Sequence, residues 1–150
     1  MALLKQRLIE KKLEMANQLS ELALSQHPFS MELKLIQADL LTLSGFNTKA
    51  FELLQNLENL YPNDAEILQK KGLVLTTMGK FEKAIEVLSQ ALPMAEMQDE
   101  VLFQIGLAYE YAEKYAFAVA QFKEVLFVNP KHSEALHELI HCANMGNIVH

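Results

Sequence analysis

Residues 62–72 read PNDAEILQKKG, and the proline that opens them sets how the rest of the chain is read. Pro28 lies 34 residues upstream, in HPFSMELKLIQA, and Pro130 lies 68 residues downstream, twice that interval, in NPKHSEALHELI. A single recurring proline is weak evidence. A true repeat shows several residue classes at one period. Ala50, Ala84 and Ala118 are spaced by 34, as are Gly72 and Gly106, with the small Ala38 one period earlier. Gly45 and Gly79 keep the same spacing, and Leu41, Leu75 and Tyr109 are in phase, as are Leu54, Leu88 and Phe122.

Each class has a physical task. Within 65–78 the apolar residues Ile67, Leu68, Leu75 and Met78 predict an amphipathic helix, with Gly72 where two helices approach closely. Gly79 breaks that helix and supplies a left-handed turn. Phe81, Ala84, Ile85, Leu88 and Ala91 or Leu92 then share one face of a second helix, at steps of three and four. The proline closes it and directs the chain into the next pair. Asp64 and Ser133, or their neighbours, are the expected N-caps.

A helix–turn–helix of this length, with small residues at its eighth and twentieth positions, an aromatic near the seventeenth and proline at the thirty-second, resembles a tetratricopeptide repeat (TPR). Residues 99–132 match best, through Leu102, Gly106, Tyr109, Tyr115, Ala118, Phe122 and Pro130. Residues 65–98 match at Leu68, Gly72, Gly79, Phe81, Ala84, Leu88 and Ala91, but Pro93 stands three positions early, so the helix there is expected to end early. Residues 31–64 carry Ala38, Gly45, Ala50, Leu54 and Pro62, with Asn47 in the aromatic position. The resemblance implies an all-α fold, a right-handed superhelical solenoid of antiparallel helix pairs, as one domain over 1–150. Its parts are an N-terminal helix (1–30) in phase with a partial repeat, repeats at 31–64, 65–98 and 99–132, and the first helix of a further or capping repeat at 133–150. No Gly or Pro interrupts 2–26, which reads as one long helix. Ala135, Leu136, Leu139, Ile140 and Ala143 are expected to face inward, with a turn at Gly146 and a second helix opening at Ile148 and Val149. The pattern reads as an excerpt of a longer array.

Composition agrees with helices and excludes some functions. Half the chain is apolar, too much for a disordered tail. The net charge is -6, and Lys5, Arg7, Lys11 and Lys12 form the one short basic cluster, read as a solvated helix face, so a nucleic-acid role is not expected. Cys142 has no second cysteine to pair with. The N-terminus lacks an uninterrupted apolar run of signal-peptide length, and no stretch reaches the roughly 20 apolar residues a membrane span needs. The expectation is a cytoplasmic protein with no membrane association and no cofactor.

One catalytic pattern needs weighing. Residues 137–141, HELIH, fit the H-E-x-x-H pattern, in which His137 and His141 would hold zinc and Glu138 would act as general base. A third ligand is missing, since Asn147 stands where the extended pattern wants His, so the metalloenzyme reading ranks last and the chain is read as a non-enzyme. His137 and His141 remain weak metal candidates. Phosphate loops, G-x-S-x-G and C-x-x-C are absent from the sequence.

The resemblance implies instead a protein–protein interaction scaffold whose first helices line a concave groove. The groove positions it assigns are Glu32, Leu35, Asp39, Thr42 and Leu43; Glu66, Gln69, Leu73, Thr76 and Thr77; Glu100, Phe103, Leu107, Glu110 and Tyr111; and Glu134, His137 and His141. This set is acidic and apolar, without Lys or Arg. It lacks the cationic clamp with which some relatives hold a chaperone's C-terminal carboxylate. The expected partner is a protein or peptide segment with apolar anchors and positive charge, with Phe103, Leu107 and Tyr111 as the main anchor positions. Those side chains could equally be covered by a neighbouring helix or a second copy. The alternatives are a small secretion-chaperone-like protein and a structural spacer within a longer array. A homodimer through exposed terminal helices is a further expectation.

Overall fold

The structure, a computed structural model, describes the backbone of residues 2–149 and the side chains of residues 2–146. The side chains of Ile148 and Val149, where a second helix was expected to open, lie outside the described residues. The described residues form eight α-helices and no strand. The chain divides into two compact units, one closing at Pro62 and the next opening at Asn63.

The first unit holds α1 (Ala2–Gln26), α2 (Met31–Leu43) and α3 (Asn47–Leu60). Helix α2 packs against both of the others. Ser30 caps α2, its side chain accepting the Leu33 N–H at 3.2 Å. Leu35, Ala38, Ala50, Leu54 and Leu57 are buried.

The second unit holds α4 (Ala65–Thr77), α5 (Phe81–Ala91), α6 (Gln98–Tyr111), α7 (Tyr115–Val128) and α8 (Ser133–Val149). Helix α5 packs between α4 and α6, and α7 between α6 and α8. One core cluster surrounds Phe122, with Leu102, Phe103, Ala118, Val125, Ala135 and Cys142. Another joins Leu88 to Val101 and Ile105. The close approach expected at the helical glycines is present. A Cβ built on Gly72 would lie 2.5 Å from Leu88 Cγ, and one on Gly106 would lie 2.5 Å from Phe122 Cε1.

The same turn recurs inside each helix pair. Phe46 N–H bonds Leu41 O at 2.8 Å, Lys80 N–H bonds Leu75 O at 2.9 Å, and Lys114 N–H bonds Tyr109 O at 2.9 Å, each with a tighter loop bond nested inside it. This is a Schellman closure, which needs a left-handed residue just past the helix. Gly45 (φ 86) and Gly79 (φ 79) supply it, and Glu113 (φ 61) stands in the third instance.

Three details differ from the sequence reading or refine it. Helix α5 stops at Ala91, and Leu92–Met94 form a 3-10 turn at the displaced Pro93, as the early proline implied. Helix α8 does not break at Gly146 but runs on to Val149. Gly146 is in phase with Ser44, Met78 and Ala112, the last right-handed residues before each turn, so the turn position of this register falls one residue later, at Asn147. Finally, Ala135 and Cys142 are buried and Leu139 is half-buried, whereas Leu136, Ile140 and Ala143 face solvent rather than inward.

Candidate functional site

In the first unit, the groove positions of α2 divide by burial. Leu35 is buried, Asp39 and Thr42 are half-buried, and Glu32 and Leu43 are exposed. Thr42 spends its hydroxyl on Ala38 O at 2.9 Å, within its own helix.

In the second unit these positions fall on α4, α6 and α8. On α4, Glu66, Leu73 and Thr77 are exposed, Gln69 is half-buried and Thr76 is buried with its hydroxyl on Gly72 O at 3.0 Å. On α6, Tyr111 is 60% exposed, while Leu107, Glu100 and Glu110 are half-buried. Phe103 is only 7% exposed. Its ring lies 5.6 Å from that of Phe122 and 4.8 Å from that of His132, so it holds α6 against α7 and the start of α8 and leaves little surface for a ligand. On α8, Glu134, His137 and His141 are exposed.

Two contacts tie α8 to α6. His132 Nε2 lies 3.2 Å from Glu100 Oε1 near one end of α6, and His141 Nε2 lies 3.7 Å from Glu110 Oε2 near the other. They run the two helices in the same direction, so the half-buried carboxylates of Glu100 and Glu110 and the exposed Tyr111 share one face with the exposed α8 histidines.

A polar cluster that the sequence did not suggest sits at the head of α6. Asn129 Nδ2 donates to Asp99 Oδ2 at 3.0 Å, and its carbonyl accepts Lys131 N–H at 3.1 Å. His132 Nδ1 accepts Ala135 N–H at 3.1 Å, which makes His132 the cap of α8. A ring nitrogen that accepts there carries no proton, so Nε2 bears it and donates to Glu100. Asp99, Glu100 and His132 are the one group of three close metal-type ligands among the described residues. A metal on Nε2 would require a proton on Nδ1 and so would break the α8 cap, and the donor set fits a closed hydrogen-bonded cap better than a cation. The signal was available in the sequence. His132 stands in phase with Ser30 and Asp64, the caps of α2 and α4, at spacings of 34 and its double.

His137 and His141 are exposed, and Glu138 and His141 both approach Glu110 of α6. Burial, then the hydrogen bond and charge of Glu138, push the Glu110 carboxyl up to about 7, against a smaller lowering by Cys142. Burial, then the charge and hydrogen bond of Glu110 and the charge of Glu138, push the Cys142 thiol up to about 12, so at neutral pH it is a buried, protonated thiol. Glu138 is engaged with another carboxyl rather than standing as a free base.

Antiparallel helix pairs, glycine-mediated close packing and a Schellman turn at a fixed interval define the all-α helical-repeat class. Within that class, residues 9–150 match the family described as Iml2/Tetratricopeptide repeat protein 39, and the chain belongs to that family. Solved structures agree on the fold. The crystal structure of MamA is 16% identical, with a TM-score of 0.73, covering 95% of this chain and 83% of its own. TTC0263, a thermophilic TPR protein from Thermus thermophilus, is 19% identical with a TM-score of 0.78, over 93% and 77% of the two chains. YrrB, described as a TPR protein with an unusual peptide-binding site, is 21% identical with a TM-score of 0.71, over 87% and 67%. A search of the curated proteins finds no match. No helix among the described residues is long and apolar enough to cross a membrane.

Proposed function

We propose that the chain is a non-catalytic scaffold, cytoplasmic and without cofactor, whose α4–α6–α8 face takes a protein segment carrying an apolar side chain beside Lys or Arg. The observation that supports this is the exposed Tyr111 and Leu73 on a face edged by Glu66, Glu100 and Glu134. Exposed aromatics dominate interface energetics, and the carboxylates favour a cationic neighbour and disfavour an anionic one. The peptide-binding site in the description of YrrB is consistent with such a use of the fold. Phe103 serves as the packed floor under this face, so Leu73 and Tyr111 replace it as anchors. Self-association through the terminal helices is part of the same reading, and nucleic acid and membrane surfaces are not among the proposed partners.

The test is a peptide array of matched sequences that place Leu or Phe beside either Lys/Arg or Asp/Glu. The basic set should bind, weaken as salt rises, and lose roughly tenfold or more in affinity to a Leu73→Ala/Tyr111→Ala variant of unchanged helicity, a loss of about 1.4 kcal/mol. A preference for the acidic set, or an unaffected variant, would remove the groove reading.

A further inference from the structure

The first unit holds a cavity that the functional reading leaves unused. A short loop joins α1 to α2, and the two helices pack together, so they run antiparallel. Asn17 marks where α2 ends along α1: its Nδ2 donates to Ser44 Oγ at 3.0 Å, and Ser44 is the C-cap of α2. The residues of α1 before Asn17 run on past that end. Between them and the α2–α3 corner lies a notch of about 680 Å³.

Two ridges of α1 form one wall. Gln6, Ile9, Leu13 and Asn17 follow one another at steps of three and four, and Glu10, Glu14, Gln18 and Glu21 run beside them at steps of four, four and three. The first ridge is apolar at its centre, and the second carries three carboxylates. Leu43 and Phe46 form the facing wall. Ile9 is 53%, Leu43 69% and Phe46 54% exposed, while Leu13 is half-buried. Large apolar side chains exposed around one hollow mark a contact surface.

The charge of the notch is one-sided. Lys49 is the one cation among its described lining residues, and its Nζ already lies over the Phe46 ring, 5.4 Å from the centroid. Glu10 accepts a hydrogen bond from Gln6 at 3.3 Å, a neutral donor that leaves the carboxylate charge uncompensated. The notch thus favours Lys or Arg and opposes an acidic partner. A second copy of this chain, with the same net charge of -6, is a poor match. Backbone chemistry selects further. The described residues hold no strand, so an extended segment would find no sheet edge for its N–H and C=O groups, whereas a helix brings them already paired. Glu10 and Glu14 stand one turn apart, about 6 Å along the axis, which matches cations at i and i+4 on a partner helix.

We propose that this notch docks an amphipathic α-helix of another protein, its apolar ridge on Ile9, Leu13, Leu43 and Phe46 and its Lys or Arg side chains opposite Glu10 and Glu14. The surface lies wholly within residues 6–49, so it is separate from the α4–α6–α8 face and stands or falls apart from it.

A labelled, hydrocarbon-stapled helical peptide with a Leu ridge flanked by Lys at i and i+4, titrated with the intact chain by fluorescence anisotropy, tests this. It should bind, and bind less as salt rises, and the same helix with Glu in place of Lys should not. Ile9→Gln/Phe46→Gln replaces exposed side chains, so it should keep wild-type helicity by circular dichroism while losing roughly tenfold or more in affinity. Glu10→Gln/Glu14→Gln leaves the apolar contacts intact and should lose roughly threefold to tenfold and flatten the salt dependence. Leu73→Ala/Tyr111→Ala should bind this helix as the wild type does, which separates the notch from the inner face. Absence of binding, equal binding of the Lys and Glu helices, or unchanged affinity in both notch variants would overturn the proposal. So would equal binding of an unstapled, proline-interrupted peptide, or self-association of the chain alone that Ile9→Gln/Phe46→Gln abolishes, since the occupant would then be an extended segment or a second copy.

Discussion

The pairs α4/α5 and α6/α7 are built on one register, and three of the positions at which they differ set their energetics apart. Where α5 seats Leu88 on a glycine, α7 seats Phe122. Where α4 has Thr76, whose hydroxyl is satisfied by its own backbone, α6 has Glu110 pressed against Glu138. Where α4 ends on Gly79, α6 ends on Glu113 in the same left-handed conformation. The shared positions carry the architecture. The differing ones show where the second pair has taken on extra packing, extra charge and extra strain.

The largest effect should come from the knob. Phe122 is fully buried at the centre of the larger cluster, touching α6 and α8 residues alike. Phe122→Ala should cost about 3–5 kcal/mol, and Leu88→Ala about 2–5 kcal/mol, by chemical denaturation. Because Phe122 also supports Phe103, its loss should loosen the ring stack with His132 and the α8 cap, seen as faster amide exchange in the first turn of α8. Equal costs for the two substitutions, with no change in α8, would mean that the second pair gains nothing from its aromatic.

These differences also show what the sequence could and could not disclose. The helix pairs, their turns and the early end of α5 were legible because repetition prints the same requirement several times: Gly72 and Gly106 for approach, Gly45 and Gly79 for the turn. A position's angle around the helix follows from that register, but its depth does not. The fifth position of the repeat lies at the edge between the inner face and the core, and Leu35 and Phe103 are buried there while Gln69 is only half-buried. The outcome depends on which neighbour meets the side chain, and for Phe103 those neighbours, Phe122 and His132, come from later in the chain. Gly146 misled because glycine permits a turn without requiring one: α8 runs through both Gly146 and the register's turn position at Asn147. The α8 face misread as inward, Leu136, Ile140 and Ala143, has the right pattern for burial, but no helix among the described residues covers it.

The charge difference comes next in size. The Glu110 carboxyl is raised from its ordinary 4.5 to about 7, with burial the first cause and Glu138 the second. A raised acid binds its proton more readily in the folded state than in the unfolded one. Stability should therefore fall as pH rises through the window from about 4.5 to about 7 and stay lowered above it. Glu110→Gln keeps the shape and removes the charge. It should flatten that window and stabilise the protein at pH near 8 by roughly 1–3 kcal/mol, while changing little near pH 4.5. Urea midpoints of both proteins across this range decide it, and a gain of equal size at both extremes would trace the effect to packing rather than ionisation.

The smallest effect concerns the turns. All three Schellman closures place a residue at positive φ, and two of them use glycine. At 113 the same bonds form, Glu113 N–H to Glu110 O at 2.9 Å and Lys114 N–H to Tyr109 O at 2.9 Å, so the hydrogen bonding is not what Glu113 sacrifices. Its cost is steric, because an L side chain in the left-handed region crowds the following carbonyl by roughly 1–2 kcal/mol. Glycine removes that crowding but adds freedom to the unfolded chain, which returns part of the gain. Glu113→Gly should thus stabilise by about 1 kcal/mol or less, and Gly79→Ala, which creates the same crowding in the first pair, should destabilise by a similar amount. Thermal unfolding of the two variants should move the midpoint in opposite directions. Two shifts of the same sign would show that the turns of the two pairs, alike in their bonds, are not alike in their strain.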